Sequence, residues 1–181
     1  LGRAAVFCAA CVVTLEPPPP LPSWITASFA YGGALAEAIR SAKYRERLDR
    51  LRLLGHALTQ ALPTDRVDVV SPVPLHPRRL RSRGFDQTSE LAYAAARALG
   101  VPCDVDLLDR VVDTPQLASL DARARATAVA GAFVARRCAG KRVLLIDDVL
   151  TTGATLGAAR AAVEAAGGEA RAHVLAATPR G

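Results

Sequence analysis

Val143-Leu-Leu-Ile-Asp147-Asp148-Val-Leu-Thr151-Thr152-Gly153-Ala154-Thr155 stands near the end of a chain of 181 residues. Val143 to Ile146 is an unbroken run of branched apolar side chains, the pattern of a strand buried on both faces of a parallel sheet. Thr155 to Ala166 is rich in Ala and is stopped by Gly167-Gly168, so it reads as a helix. Strand, short polar turn and helix in that order make a βα unit. Its turn lies beyond the carboxyl end of the strand, where parallel sheets bind ligands.

The same alternation continues outward. Val67-Asp-Val-Val70 is a short β-branched run, and Pro72, Pro74, His76 and Pro77 then form a loop that leads into Arg78, Arg79, Arg81 and Arg83. Asp86 is placed to cap a helix that reaches Leu99 and ends at Gly100 and Pro102. Val105 to Val112 is a further strand candidate diluted by Asp residues, Leu120 to Ala130 a short helix, and Ala172 to Ala177 a last strand. Upstream, Leu35, Ile39, Ala42, Leu51, Leu54, Leu58 and Leu62 recur at helical spacing, which predicts a long helical segment from about Ala34 to Leu62, introduced by Gly32-Gly33 and closed by Pro63. Before them, Pro17 to Pro20 with Pro22 make a stiff polyproline linker. The expected architecture is α/β, a mostly parallel sheet flanked by helices. Residues 1–22 form a stub and linker, 23–63 a small helical hood, and 64–181 the core.

Composition bounds the function classes. Hydrophobic residues at 51% and charged residues at 22% belong to a chain with a real core. No stretch approaches the ~20 apolar residues that span a bilayer, and Leu1 to Val13 is too short an apolar run for a secretory signal. A cytoplasmic protein with no membrane insertion is expected. The net charge of +6 comes almost wholly from Arg, with Lys43 and Lys141 the two lysines. It suits phosphate-bearing partners, and it equally suits a biased residue composition. Cys8-Ala-Ala-Cys11 is half of a zinc site with no second CxxC to complete it, while Cys103 and Cys138 stand alone as small core residues.

The polar turn carries the chemistry. Gly153 allows close backbone approach, the hydroxyls of Thr151, Thr152 and Thr155 donate hydrogen bonds, and the N-terminus of the following helix presents its N–H groups to an anion. Asp147 and Asp148 would repel a phosphate. They suit the vicinal hydroxyls of a sugar, or help to position a metal. A ribose 5-phosphate unit satisfies both halves. The string is neither a Gly-x-x-x-x-Gly-Lys nor a Gly-x-Gly-x-x-Gly loop. A plain helix cap at Asp148 would need one acid and one Gly, and it leaves the rest of the string without a purpose.

With two acids followed by Thr-Thr-Gly-x-Thr, the string resembles the phosphoribosyl diphosphate (PRPP) signature of type I phosphoribosyltransferases. Ser71-Pro-Val-Pro-Leu-His-Pro77, Arg83-Gly-Phe-Asp-Gln87, Tyr31-Gly-Gly33, Lys43-Tyr44 and Thr114-Pro-Gln116 are similar to its ComF branch, bacterial proteins linked to competence for DNA uptake. The likeness runs from about residue 24 to 178. Where that branch often carries a four-Cys zinc ribbon, this chain has Cys8 and Cys11. Asp86 stands where Asn is usual, and Ala128 where Asn follows Arg125 in the family pattern.

The resemblance implies a phosphoribosyltransferase that uses Mg²⁺ with PRPP and releases pyrophosphate to form a bond with an unidentified nitrogen acceptor, a base or an amine. Asp147 and Asp148 would hold the ribose hydroxyls, and Thr151, Thr152, Gly153, Ala154 and Thr155 the 5-phosphate. Arg78, Arg79 and above all Arg83 would meet the pyrophosphate, since a guanidinium pairs with phosphate oxygens. Gln116, Arg125 and Lys43 are candidates for a lid over the reacting atoms. His76 reads as a loop residue rather than a base. A second class stays open: a PRPP sensor without catalysis, or a DNA-uptake component that contacts single-stranded DNA or a competence protein. Stacking partners for nucleic acid near the Arg cluster are confined to Phe85 and Tyr93.

Overall fold

Arg142–Leu150 forms strand β5 of the computed structural model, which describes residues 11, 13–42, 48–77, 80–81, 86–112, 131–136 and 138–179. Its neighbours are β2 (Val69–Pro72) on one side and β6 (Glu169–Ala177) on the other, and β1 (Ile25–Ala30) lies outside β6. All pairings in this four-stranded sheet are parallel, with Val69 opposite Val143, Leu145 opposite Ala172, and Ala27 opposite Val174. The expected α/β sheet is therefore present.

Period-2 alternation sends the side chains of β5 to two cores. Val143 and Leu145 join Leu156, Ala159 and Val163 of helix α4 (Ala154–Ala165) on one face. A small antiparallel pair, β3 (Leu108–Arg110) and β4 (Phe133–Ala135), completes that layer. Leu144 and Ile146 face the other way, onto α1 (Gly33–Ser41), α2 (Leu48–Thr59) and α3 (Gln87–Leu99). Leu35, Ile39, Leu54, Leu58 and Leu91 are all buried there. Each such side chain contributes on the order of 1.5–3 kcal/mol by leaving water. At Gly55 an added Cβ would fall 2.9 Å from the Ala94 methyl, so a glycine is what allows α2 and α3 to approach.

Residues 23–63 differ from the all-helical hood expected. Ile25–Ala30 is an edge strand of the main sheet, and α1 and α2 are two helices packed on that sheet beside α3. The strand escapes a periodicity reading because Ile-Thr-Ala-Ser-Phe-Ala mixes small and polar residues. Its polar positions are spoken for in space. His173 of β6, fully buried, lies with Nδ1 2.7 Å from Thr26 Oγ1 and Nε2 3.1 Å from Ser28 Oγ and 3.3 Å from the Leu58 carbonyl. Burial lowers the His173 pKa to about 4, so the ring is neutral and binds β1, β6 and α2 together.

Other boundaries shift modestly. β5 continues past the expected end at Ile146 through both acids to Leu150, held by the ladder to Ala177. Three residues of the Val105–Val112 candidate are strand, and β4 was not expected. The helix expected over Leu120–Ala130 falls outside the described residues. At the amino edge, Asp68 accepts from the Arg142 N–H at 2.9 Å, from Nε at 2.9 Å and from Nη2 at 2.7 Å, and these bonds hold its carboxyl well below the usual range. Among the described residues no helix is long and apolar enough to cross a membrane.

Candidate functional site

Parallel pairing delivers the carboxyl ends of β1, β2, β5 and β6 to one edge, and three backbone bonds tie those ends together. Tyr31 N donates to the Ala177 carbonyl at 2.7 Å, Thr178 N to Leu150 at 2.9 Å, and Val73 N to Ile146 at 2.9 Å. The Thr178 hydroxyl adds bonds to the Leu150 carbonyl at 3.2 Å and the Thr151 carbonyl at 3.5 Å. The turn after β5 thus starts from a fixed frame.

Asp147 and Asp148 are both partly buried at this edge. The Asp148 N–H donates to Asp147 Oδ1 at 2.8 Å, and Asp148 Oδ2 accepts from Gln87 Nε2 at 3.1 Å. Burial raises the Asp147 pKa well above the usual carboxylate range, and the negative charges of Asp148 and Asp86 push it the same way. Burial and the adjoining charges therefore favour the protonated form of Asp147.

Beyond Leu150, Thr151 and Thr152 are exposed and Thr155 is partly buried in the first turn of α4. Gly153 adopts φ +80°, a left-handed conformation that L side chains rarely take, and it caps α4 without any side-chain hydrogen bond. The Ala154 N–H donates to Thr152 Oγ1 at 3.5 Å, and Gly153 supplies no side chain to cap the rest of the first turn of α4. This arrangement can receive an anion at the helix end and hydrogen-bond donors at the acid pair.

Asp147, Asp148, Thr151, Thr152, Gly153, Ala154 and Thr155 are therefore brought to one edge as expected. Arg78, Arg79, Arg83, Lys43, Gln116, Arg125 and Cys8 lie outside the described residues. Cys11 is a partly buried thiol, and among the described residues no group of three His, Cys, Asp or Glu side chains is placed to hold a metal ion.

Two site residues went unassigned in the sequence reading. Gln87 touches Asp148, and Asp86 adds charge beside Asp147. Asp86 was legible as the cap of α3, where it accepts from Thr88 N at 3.0 Å and Ser89 Oγ at 3.2 Å. The place of that cap next to β5 was not.

Residues 89–181 match the family model for the phosphoribosyl transferase domain. The DNA utilization protein YhgH of Salmonella typhi is 29% identical over 163 residues, covering 86% of this chain and 70% of that protein. The protein of the same name from Escherichia coli strain K12 is 31% identical over 155 residues, covering 81% and 67%. Competence protein F of Haemophilus influenzae is 33% identical over 112 residues, 58% of this chain and 49% of that one.

Proposed function

This chain belongs to the phosphoribosyl transferase domain family, in its ComF branch, and from that membership we propose that it binds PRPP with Mg²⁺ and transfers ribose 5-phosphate to a nitrogen acceptor. The observation that carries the reading is the shared edge of the acid pair and the Gly153-capped turn. The 5-phosphate lies at the first turn of α4 against N–H groups and the Thr151, Thr152 and Thr155 hydroxyls. The ribose hydroxyls donate to Asp148 and meet Asp147.

Holding the sugar at both ends aims C1 at the acceptor. As the bond from C1 to the pyrophosphate oxygen breaks, positive charge grows on the ring, and the net negative charge of the acid pair stabilises it. The acceptor nitrogen bonds to C1 and gives up its proton. Among the described residues the two carboxylates have no third protein ligand to complete a metal cage, and that donor set suits an ion coordinated mainly by phosphate oxygens and water. Bound there, Mg²⁺ would offset the charge of the leaving pyrophosphate.

The biological context proposed for it is competence and DNA use, supported by the names DNA utilization protein and Competence protein F, and the proposed location is the cytoplasm. Titration with Mg²⁺ and PRPP in a calorimeter tests the binding. The Asp147→Asn, Asp148→Asn double variant is expected to fold and to lose binding, and unchanged affinity rejects the assignment. Pyrophosphate release in the presence of bases and amines tests the transfer. Binding without any release would make the protein a PRPP sensor.

A further inference from the structure

Gln87 is a polar side chain only 3% exposed, and its two amide atoms are treated unequally. Nε2 donates to Asp148 Oδ2 at 3.1 Å, whereas Oε1 is buried with no hydrogen-bond partner among the described residues. A buried acceptor left unmade is unfavourable, and most are satisfied in folded proteins. The amide accepts this arrangement because the reverse orientation would press a carbonyl oxygen against a carboxylate. The bond to Asp148 therefore dictates how the group sits. Packing alone would be served better by an apolar side chain of the same shape.

The support beneath Gln87 is rigid. It is the first residue of α3, immediately after the Asp86 cap, and Leu91, Ala92 and Ala95 of the same helix are fully buried against the sheet and α2. The donor thus reaches the acid pair from an element that cannot easily retreat. With Oδ2 engaged by Gln87, the Asp148 carboxylate is held in one orientation.

We infer that Gln87 is a positioning residue for sugar recognition, holding Oδ2 of Asp148 so that this carboxylate is oriented toward a ribose hydroxyl. The inference rests on the reading of Asp147 and Asp148 as the ribose-binding pair.

Calorimetric titration of the full chain with Mg²⁺ and PRPP tests it. If the unsubstituted protein takes up no PRPP, the functional reading fails regardless of Gln87. If it binds, Gln87→Met, which keeps bulk and burial, should weaken affinity about tenfold. In an Asp148→Ala background, the same substitution should cost little more, because the group it acts through is gone. Wild-type affinity in Gln87→Met, or an equal loss in both backgrounds, overturns the inference.

Should Gln87→Met not fold, Gln87→Glu supplies a second route. Among the described residues, its new carboxyl would face Asp86, Asp147 and Asp148. When protonated it still donates to Asp148, and when ionised it repels it. Its affinity relative to wild type should therefore fall as pH rises from about 5 to 8. A ratio that does not change with pH overturns the inference.

Discussion

Thr178 binds the Leu150 carbonyl twice, through its N–H at 2.9 Å and its hydroxyl at 3.2 Å, so the first residue beyond β6 fastens the last residue of β5. The acid pair and the Gly153 turn lie on either side of that fastening. Replacing Thr178 by Val removes the hydroxyl bond and leaves the ladder and the N–H bond in place. Stability should change by about 1 kcal/mol, while PRPP affinity should drop several-fold as the turn loosens. Chemical denaturation and calorimetry on the same preparation separate the two effects.

Asp147 supplies a prediction in which stability and binding move in opposite directions. Its folded-state pKa is raised, so between the ordinary carboxylate value and that raised value the folded state binds more protons than the unfolded one. Its contribution is consequently lost as pH rises. Asp147→Asn should raise the melting temperature by a few degrees at neutral pH, with the gain vanishing below about pH 4. The same variant should bind PRPP more weakly. A variant that melts lower than wild type at pH 7 would contradict the electrostatic reading.

His173 gives the reverse pH dependence. Its pKa is lowered to about 4 by burial, against about 6.5 in an unfolded chain, so the unfolded state binds the extra proton between those values. The full contribution is present above about pH 6.5 and is lost as pH falls through 4. The loss amounts to about 3 kcal/mol. Urea midpoints measured from pH 7 to 4 should show this slope in the wild type, and His173→Gln should lack it.

Gly153→Ala tests the turn itself. An added Cβ would meet Leu150 Cδ1 at 3.5 Å, an ordinary contact, so the penalty lies in the backbone conformation at φ +80°. A destabilisation of about 1 kcal/mol is expected. PRPP affinity should fall by at least tenfold, because a shifted turn no longer aims the α4 N–H groups. Retained affinity would place the phosphate elsewhere.

The local signals in the chain were sufficient for the β5–turn–α4 unit and for α3. Four apolar residues in a row, Asp86 ahead of α3, and Gly100 with φ +68° after it act on their immediate neighbours, and they mark elements wherever the chain goes. The helices of residues 33–59 were legible from Leu and Ile spacing. β1 was not, because its strand character comes from β6 and from the Ser28–His173 contact across 145 residues of sequence.

The amino-acid order by itself determined the family, the parallel α/β design, and the presence of two acids and a Thr- and Gly-rich turn on one edge. Only the tertiary structure decided that Gln87 stands on Asp148 and that the charge of Asp86 acts on Asp147. Those relationships join β5 to the start of α3, which lies 61 residues earlier. They depend on how α3 settles on the sheet, and that is set by the apolar packing of Leu91, Ala92 and Ala95 rather than by any pattern around Gln87. A side chain's charge is written in the sequence, but its proton affinity and its partner depend on which distant groups packing brings close and how much water is removed.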